Sequence, residues 1–491
     1  TLDAPSLRPF LQLSTRRDLR EQVYRAYATR ASSGQHDNTG LMASILSARQ
    51  RMSRMLGYAD YASLSTAEKM VGTPAAVWAL LDKLHAVALP AAQREVAELT
   101  KFAQARGHAG SLAPYDTAYW INRHLEEHFG IDEEAVRQYF PLPAVMDGMF
   151  STLSNVFNIS WAELGGSQRP SVWHKDVHCY SVHEGSAPTH NNAIASFLFD
   201  PYARPATKNG GAWADECVGR TTNPLLTRGL PGGVRLPVAH LVCNGSAPVG
   251  GNPSLMTHND VLTLWHEMGH GLQLMLTRVG EGNVAGISGI EWDAVELPSQ
   301  FAEEFAFHPA VLKLMSSHVD TGEPLSDDLI ARLRGARTHM AALNMLRQLF
   351  LASTDMALHS ADRTPAFACD ASAFACGFDP FALTRGMAST HTVIPPLPED
   401  RFLCTFSHIF SGGYAAGYFS YKHAEVMAAD AFAAFEEAGL VGKSPAEFSL
   451  PAVNAMGKRF RDTVLSLGGS VHPTQVFRSF RGREPSVEPL L

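Results

Sequence analysis

Apolar positions recur at helical spacing over most of the chain. Thr15, followed three residues later by Asp18, reads as a capping box, and Leu19, Val23 and Tyr27 repeat every four residues behind it. A second helix is predicted from about Asn38, with Leu41, Ile45, Met52 and Met55 turned inward and Gly57 as its stop. Residues 75–106 form a longer periodic stretch that Pro90 is expected to interrupt or kink. Between residues 171 and 244 the texture changes. The short apolar runs 193–199 and 238–243, bounded by Asn, Gly and Pro, read as strands. Helical character returns at Thr257 and continues nearly to the end. The pattern predicts a mainly α fold with one small sheet set before a helical region, in three parts: 1–170, 171–256 and 257–491. No internal repeat is present.

Composition narrows the class. Of the 491 residues, 45% are hydrophobic and 18% charged, the balance of a folded globular chain. A formal charge of −8 argues against nucleic acid or an anionic membrane as the main partner. The six cysteines, Cys179, Cys217, Cys243, Cys369, Cys376 and Cys404, form no CxxC pair, which excludes the usual cysteine-ligated zinc site and fits a reducing compartment. The most apolar helical stretch carries Asp82, Lys83 and His85, so no uninterrupted apolar run long enough to span a bilayer is read. The chain starts with Thr1 rather than Met, so a removed targeting segment would leave no trace here.

The chemistry gathers at residues 257–271, THNDVLTLWHEMGHG. Thr257 and Asp260 offer a capping box, and Val261, Leu264 and Trp265 supply apolar helical surface. Inside this helix, His266 and His270 lie four residues apart. Residues so spaced sit about 40° apart around the axis and one turn along it, so both imidazoles project from one face and can grip one Zn²⁺. Glu267 is placed to reach a metal-activated water without being a ligand. Three fixed residues recur by chance in about 6% of chains this long, so the motif needs a partner. A catalytic zinc takes three protein ligands and keeps one position open. Downstream, EWDAVELPSQFAEE at 291–304 suggests a helix whose first turn holds Glu296, with Pro298 at its start. Asp293 and Glu303 are rivals for the third position, or could accept a hydrogen bond from a ligand histidine. A second histidine group, His174, His178, His183 and His190, falls in strand- or loop-like sequence, where residues four apart are too distant for one metal, so local bonding is expected.

HEMGHGLQ followed by WDAVELPSQF closely resembles the thimet-oligopeptidase family of zinc peptidases, especially its oligopeptidase A branch. GGAW at 210–213, FSHIFSGGYAAGYFSY at 406–421 and FRGREP at 480–485 extend the resemblance along nearly the whole chain. The resemblance implies a multi-helical zincin-type fold, one Zn²⁺ per chain, and Glu296 as third ligand beside His266 and His270. It also implies that His408, Tyr414 and Tyr421 stabilise the transition state from a glycine-rich loop, with Glu267 as proton shuttle. Tyr418 reads instead as a core aromatic. The strand 238–243 would lie beside bound peptide and pair with its backbone.

The implied activity is hydrolysis of internal bonds in short, unstructured peptides by a cytoplasmic or organellar monomer, with neither nucleic acid nor membrane as partner. Two other readings stand beside it: a dipeptidyl carboxypeptidase specificity, and a silent homologue that binds peptides. Gln273 replaces a further histidine found in many members, and Glu304-Phe305 replaces a common Asn-Trp pair. The chain also starts where the family pattern is already under way, so an N-terminal helical region that walls a deep channel in relatives is expected to be missing.

Overall fold

A computed structural model describes residues 2, 4–189, 191–204, 206–361, 378–442 and 444–491. His190, Cys369 and Cys376 therefore lie outside the described residues. Eighteen α-helices and five strands occur among those described, so the mainly α class holds. The chain divides into two compact units, each made of two stretches: 1–131 with 335–422, and 132–334 with 423–491.

The first unit contains no strand among its described residues. Its longest helix, Pro74–Gln104, runs through Pro90 without interruption and starts at a Thr73 cap. Val77, Leu81, Leu84, Ala88, Ala92, Val96, Leu99 and Ala103, three or four apart, form its buried stripe. By length and composition this helix could cross a membrane, despite Asp82 and Lys83. Here it packs on the helix Ala341–His359, which has no side-chain cap of its own. Glu95 supplies one from the long helix, accepting the Ala342 and Leu343 amides at 3.1 and 2.8 Å.

Two sequence expectations fail in this unit. The helix Arg17–Ala28 is entered at Arg16 and not Thr15, because Asp18 is engaged by the Arg16 guanidinium at 2.7–2.9 Å. The helix Thr39–Met55 buries Met42, Leu46, Gln50 and Ser53, leaving Leu41, Met52 and Met55 exposed. Apolar residues lie on both faces there, and the buried Gln50 amide donates to the Ala59 carbonyl while its own oxygen has no hydrogen-bond partner.

The second unit holds one five-stranded sheet: β1 (Ile159–Glu163), β2 (His178–Glu184), β3 (Ala193–Tyr202), β4 (Trp213–Val218) and β5 (Val238–Gly245), in the order β1-β2-β3-β5-β4. Only β3 and β5 are parallel. β5 is thus flanked on both sides, and its backbone is already paired with β3 and β4. The expectation that 238–243 pairs with a peptide is corrected: β4 forms that edge of the sheet. The helix His258–Leu276 lies on β5, where a Cβ at Gly271 would meet the Leu241 methyls at 3.1–3.4 Å. Behind it, Phe301 stacks on Phe460 at 4.0 Å, and Phe305, Phe432 and Phe435 complete an aromatic core.

Candidate metal centre

The helix His258–Leu276 begins at the predicted capping box. Thr257 Oγ1 accepts the Asp260 amide at 3.1 Å, and Asp260 accepts the Thr257 amide at 2.9 Å. Trp265 is fully buried and donates to the Met315 sulfur, which fixes the rotation of the helix and sends His266 and His270 out on another face. A second helix, Leu297–Phe305, starts at Glu296 as N-cap. The two helices touch backbone to backbone. A Cβ at Gly269 would sit 2.4 Å from the Pro298 carbonyl oxygen and 2.5 Å from Ser299 Cα.

That close approach delivers the carboxylate. Glu296 Oε2 stands 3.2 Å from His266 Nε2 and 3.1 Å from His270 Nε2. Among the described residues, these three form the one group of metal-ligating side chains whose donor atoms all lie within 4.8 Å of one another. Ligand atoms about 2.0–2.1 Å from a tetrahedral zinc lie about 3.3 Å apart, so the spacing fits the ion. Surrounding contacts fit it too. His266 Nδ1 lies 2.6 Å from Glu303 Oε1, leaving Nε2 as the ligand nitrogen, and Ser299 Oγ donates to Glu296 Oε2 at 2.9 Å. Glu303 thus takes one of the two roles open to it, as a hydrogen-bond acceptor. Asp293 is buried, with its carboxylate 3.8 Å from His423 Nδ1, and does not join the group.

The buried acids and imidazoles shift one another strongly. Burial disfavours a charged His266, but hydrogen bonds to Glu296 and Glu303 outweigh it and push the imidazole up to about 10. Burial likewise opposes charge on Glu296, yet the two imidazoles hold its carboxyl well below the usual carboxylate range. Burial raises the Glu267 carboxyl, and the neighbouring imidazoles pull it back. Glu267 Oε2 is buried without a hydrogen-bond partner, as expected of a group whose partner is a water or substrate. Burial and then the Glu267 carboxylate push the Cys243 thiol up to about 12, so it is no nucleophile at neutral pH.

His408, Tyr414 and Tyr421 belong to the first unit and cluster there. The Tyr414 and Tyr421 rings stack at 4.9 Å, and His408 lies 5.9 and 6.2 Å from them. Tyr418 is buried and donates to Gln348 at 3.0 Å, the core role read for it. In the other histidine group, His174 lies 3.5 Å from Asp176, His178 bonds Glu163 and His183 bonds Ser181, each locally. Gln273 is buried and makes one long bond to the Val464 carbonyl. Gly269 and Ser299 went unread in the sequence. The signal for Gly269 was a glycine inside a strong helix, which needs a packing reason to offset its poor helix propensity.

An HEMGH helix laid on a small sheet, with an acid brought in by the next helix, defines a zincin-type architecture. The profile of Peptidase family M3 matches residues 10–491, and the chain belongs to that family. It is 48% identical to the organellar oligopeptidase A, chloroplastic/mitochondrial, of Arabidopsis thaliana, over 100% of this chain and 59% of that protein. It is 39% identical to oligopeptidase A of Escherichia coli (strain K12), over 100% of this chain and 68% of that one. The chain thus spans about three fifths to two thirds of the length of these curated relatives. The solved structure of PZ peptidase A with inhibitor 2 has the same fold, with a TM-score of 0.60 at 14% identity over 99% of this chain and 68% of that chain.

Proposed function

We propose that this chain is a zinc-dependent oligopeptidase that hydrolyses internal bonds of short, unstructured peptides. The observation that carries the reading is the convergence of His266, His270 and Glu296 beside Glu267, whose buried Oε2 has no hydrogen-bond partner. The oligopeptidase A relatives, full-length matches to this chain, support the same reaction class. His266, His270 and Glu296 would hold the ion. Zinc, when bound, supplies Lewis acidity that brings a water toward a pKa of about 7 and polarises a carbonyl. Glu267 accepts the proton of the attacking water on its carboxylate and passes it to the departing amide nitrogen. Its raised proton affinity suits a group that must take a proton and give it back. His408, Tyr414 and Tyr421 donate hydrogen bonds to the oxyanion of the tetrahedral intermediate, with Tyr421 the principal donor. The edge strand β4 offers backbone for an extended peptide. The compartment is the cytoplasm or an organelle, the second in keeping with the name of the organellar Arabidopsis thaliana relative.

The test pairs zinc content with cleavage of a quenched short peptide, with and without chelator, and maps the products by mass spectrometry. One zinc per chain, chelator-sensitive cleavage and internal products are expected. Inertness of the zinc-loaded protein toward a broad peptide set would instead identify a peptide binder, and release of C-terminal dipeptides alone a dipeptidyl carboxypeptidase.

A further inference from the structure

The loop bearing Tyr414 rests on a charge from another helix. Asp355, wholly buried near the end of Ala341–His359, accepts three consecutive backbone amides: Ala416 at 2.9 Å, Gly417 at 2.8 Å and Tyr418 at 2.9 Å. Three successive N–H groups around one carboxylate make an anion nest built from the protein's own side chain. The Gly417 amide also reaches the Tyr414 carbonyl at 3.0 Å, but the buried Ala416 and Tyr418 amides would without Asp355 lack both an acceptor and water. Ala416 is held at φ 44°, in the left-handed region that a residue with a Cβ rarely adopts, and the nest is what fixes it there. Ser65 Oγ lies 2.9 and 3.2 Å from the Ala415 and Ala416 carbonyls and clamps the opposite side of the same peptides. Gln348, seven residues and two turns before Asp355, takes the Tyr418 hydroxyl.

A histidine flanks the carboxylate. His359 Nδ1 lies 3.0 Å from Asp355 Oδ1 and 2.8 Å from the Asp355 carbonyl, while its Nε2 lies 3.1 Å from the Arg49 guanidinium. Arginine can only donate, so Nε2 is the acceptor and the imidazole carries its proton on Nδ1, facing Asp355. Arg49 and His359 thus form a chain of hydrogen bonds that ends on the Asp355 carbonyl and sets the Nδ1 proton beside the Asp355 carboxylate.

We infer that Asp355 is a positioning residue: through the 416–418 amides it holds Tyr414 and Tyr421 in their stacked arrangement, ready to donate to the oxyanion. This rests on the catalytic reading of the two tyrosines given above. An asparagine at 355 keeps the shape but turns a donor toward donors, so at least one amide loses its acceptor.

The experiment measures hydrogen exchange of the 416–418 amides together with kcat and KM on one quenched peptide, in zinc-loaded wild type, Asp355→Asn, Ser65→Ala and Tyr421→Phe. For Asp355→Asn, exchange is expected to quicken by about tenfold or more, with kcat about 100-fold lower, KM within about threefold and zinc content unchanged. Ser65→Ala, which leaves the buried charge in place, is expected to move both readouts in the same direction by less, and it carries the test if Asp355→Asn does not fold. Unchanged exchange in a folded variant overturns the anchor. Quickened exchange with full kcat, while Tyr421→Phe is impaired, overturns the positioning role and leaves the tyrosines standing. Full kcat in both Tyr421→Phe and Asp355→Asn removes the catalytic reading of the tyrosine along with the role proposed here.

Discussion

Replacing Gly269 by alanine should loosen the metal without touching a ligand. The added Cβ would lie 2.4 Å from the Pro298 carbonyl oxygen, 2.5 Å from Ser299 Cα and 2.8 Å from Pro298 C, where ordinary contact begins at 3.4 Å. All three atoms are backbone, so no side chain can swing aside and the helix bearing Ser299 must retreat by roughly 1 Å. Glu296 caps that helix, and its Oε2 now stands 3.1–3.2 Å from the two imidazole nitrogens. A retreat of that size along the contact carries it to about 4 Å, beyond the roughly 3.3 Å that one tetrahedral ion spans. Overpacking costs about 1–3 kcal/mol, offset by up to about 1 kcal/mol from alanine's better helix propensity. Zinc affinity should fall about 100-fold, close to 2.7 kcal/mol. Competition with a calibrated chelator reads the affinity, and thermal melting reads the stability. Gly386, in the helix Pro380–His391 with nothing within 4 Å of its Cβ position, is the internal control, and Gly386→Ala should hold or raise stability. A Gly269→Ala protein with wild-type zinc affinity would refute the claim that this backbone contact brings Glu296 to the histidines.

Other predictions follow from the same geometry. Glu303→Ala should weaken zinc binding about 10–100-fold by freeing His266 Nδ1, and an unchanged dissociation constant would count against that contact. Free zinc at 100 times its dissociation constant should add about 2.7 kcal/mol of stability over the chelated protein, visible as a higher melting temperature; coincident melts would contradict a preformed site. Phe301→Ala should cost about 3–5 kcal/mol by opening the aromatic core against Phe460, and a loss under about 1 kcal/mol in denaturant titration would show that core to be slack. Burial, and then His124 and His128, push His339 down to about 4 from an ordinary value of 6.5. Between those values the unfolded chain binds more protons, so stability rises with pH across that window and is lost as pH falls through it. His339 is partly exposed, so solvent screening leaves about 1–2 kcal/mol of the effect, which His339→Gln should flatten in melts taken between pH 4 and 7.

What the sequence disclosed depended on whether the cause was local. The Thr257 capping box, the paired histidines and the Pro298 helix start each follow from residues a few positions apart, and the structure has all three. In the helix Thr39–Met55 periodicity fitted two stripes equally well. Tertiary contacts selected the one that buries Met42, Leu46 and two polar residues. The interior place of β5 depends on β4, whose burial alternates from Ala214 onward while its residues do not: Glu216 is half-buried and Cys217 exposed, so the apolar pattern gives little period-two signal. Glu95 as the cap of a helix some 250 residues away, and Asp355 as the cradle of three amides some 60 residues away, have no sequence signature at all. Both are buried or half-buried acids in helices, which spacing alone does not separate from solvated ones.

The most direct measurement is a crystal structure of the zinc-loaded protein with data on both sides of the zinc edge. A single anomalous peak about 2.0–2.2 Å from His266 Nε2, His270 Nε2 and a Glu296 carboxylate oxygen is the predicted result. A peak elsewhere, or one held by the imidazoles with the Glu296 carboxyl turned away and no other acid in its place, would contradict it.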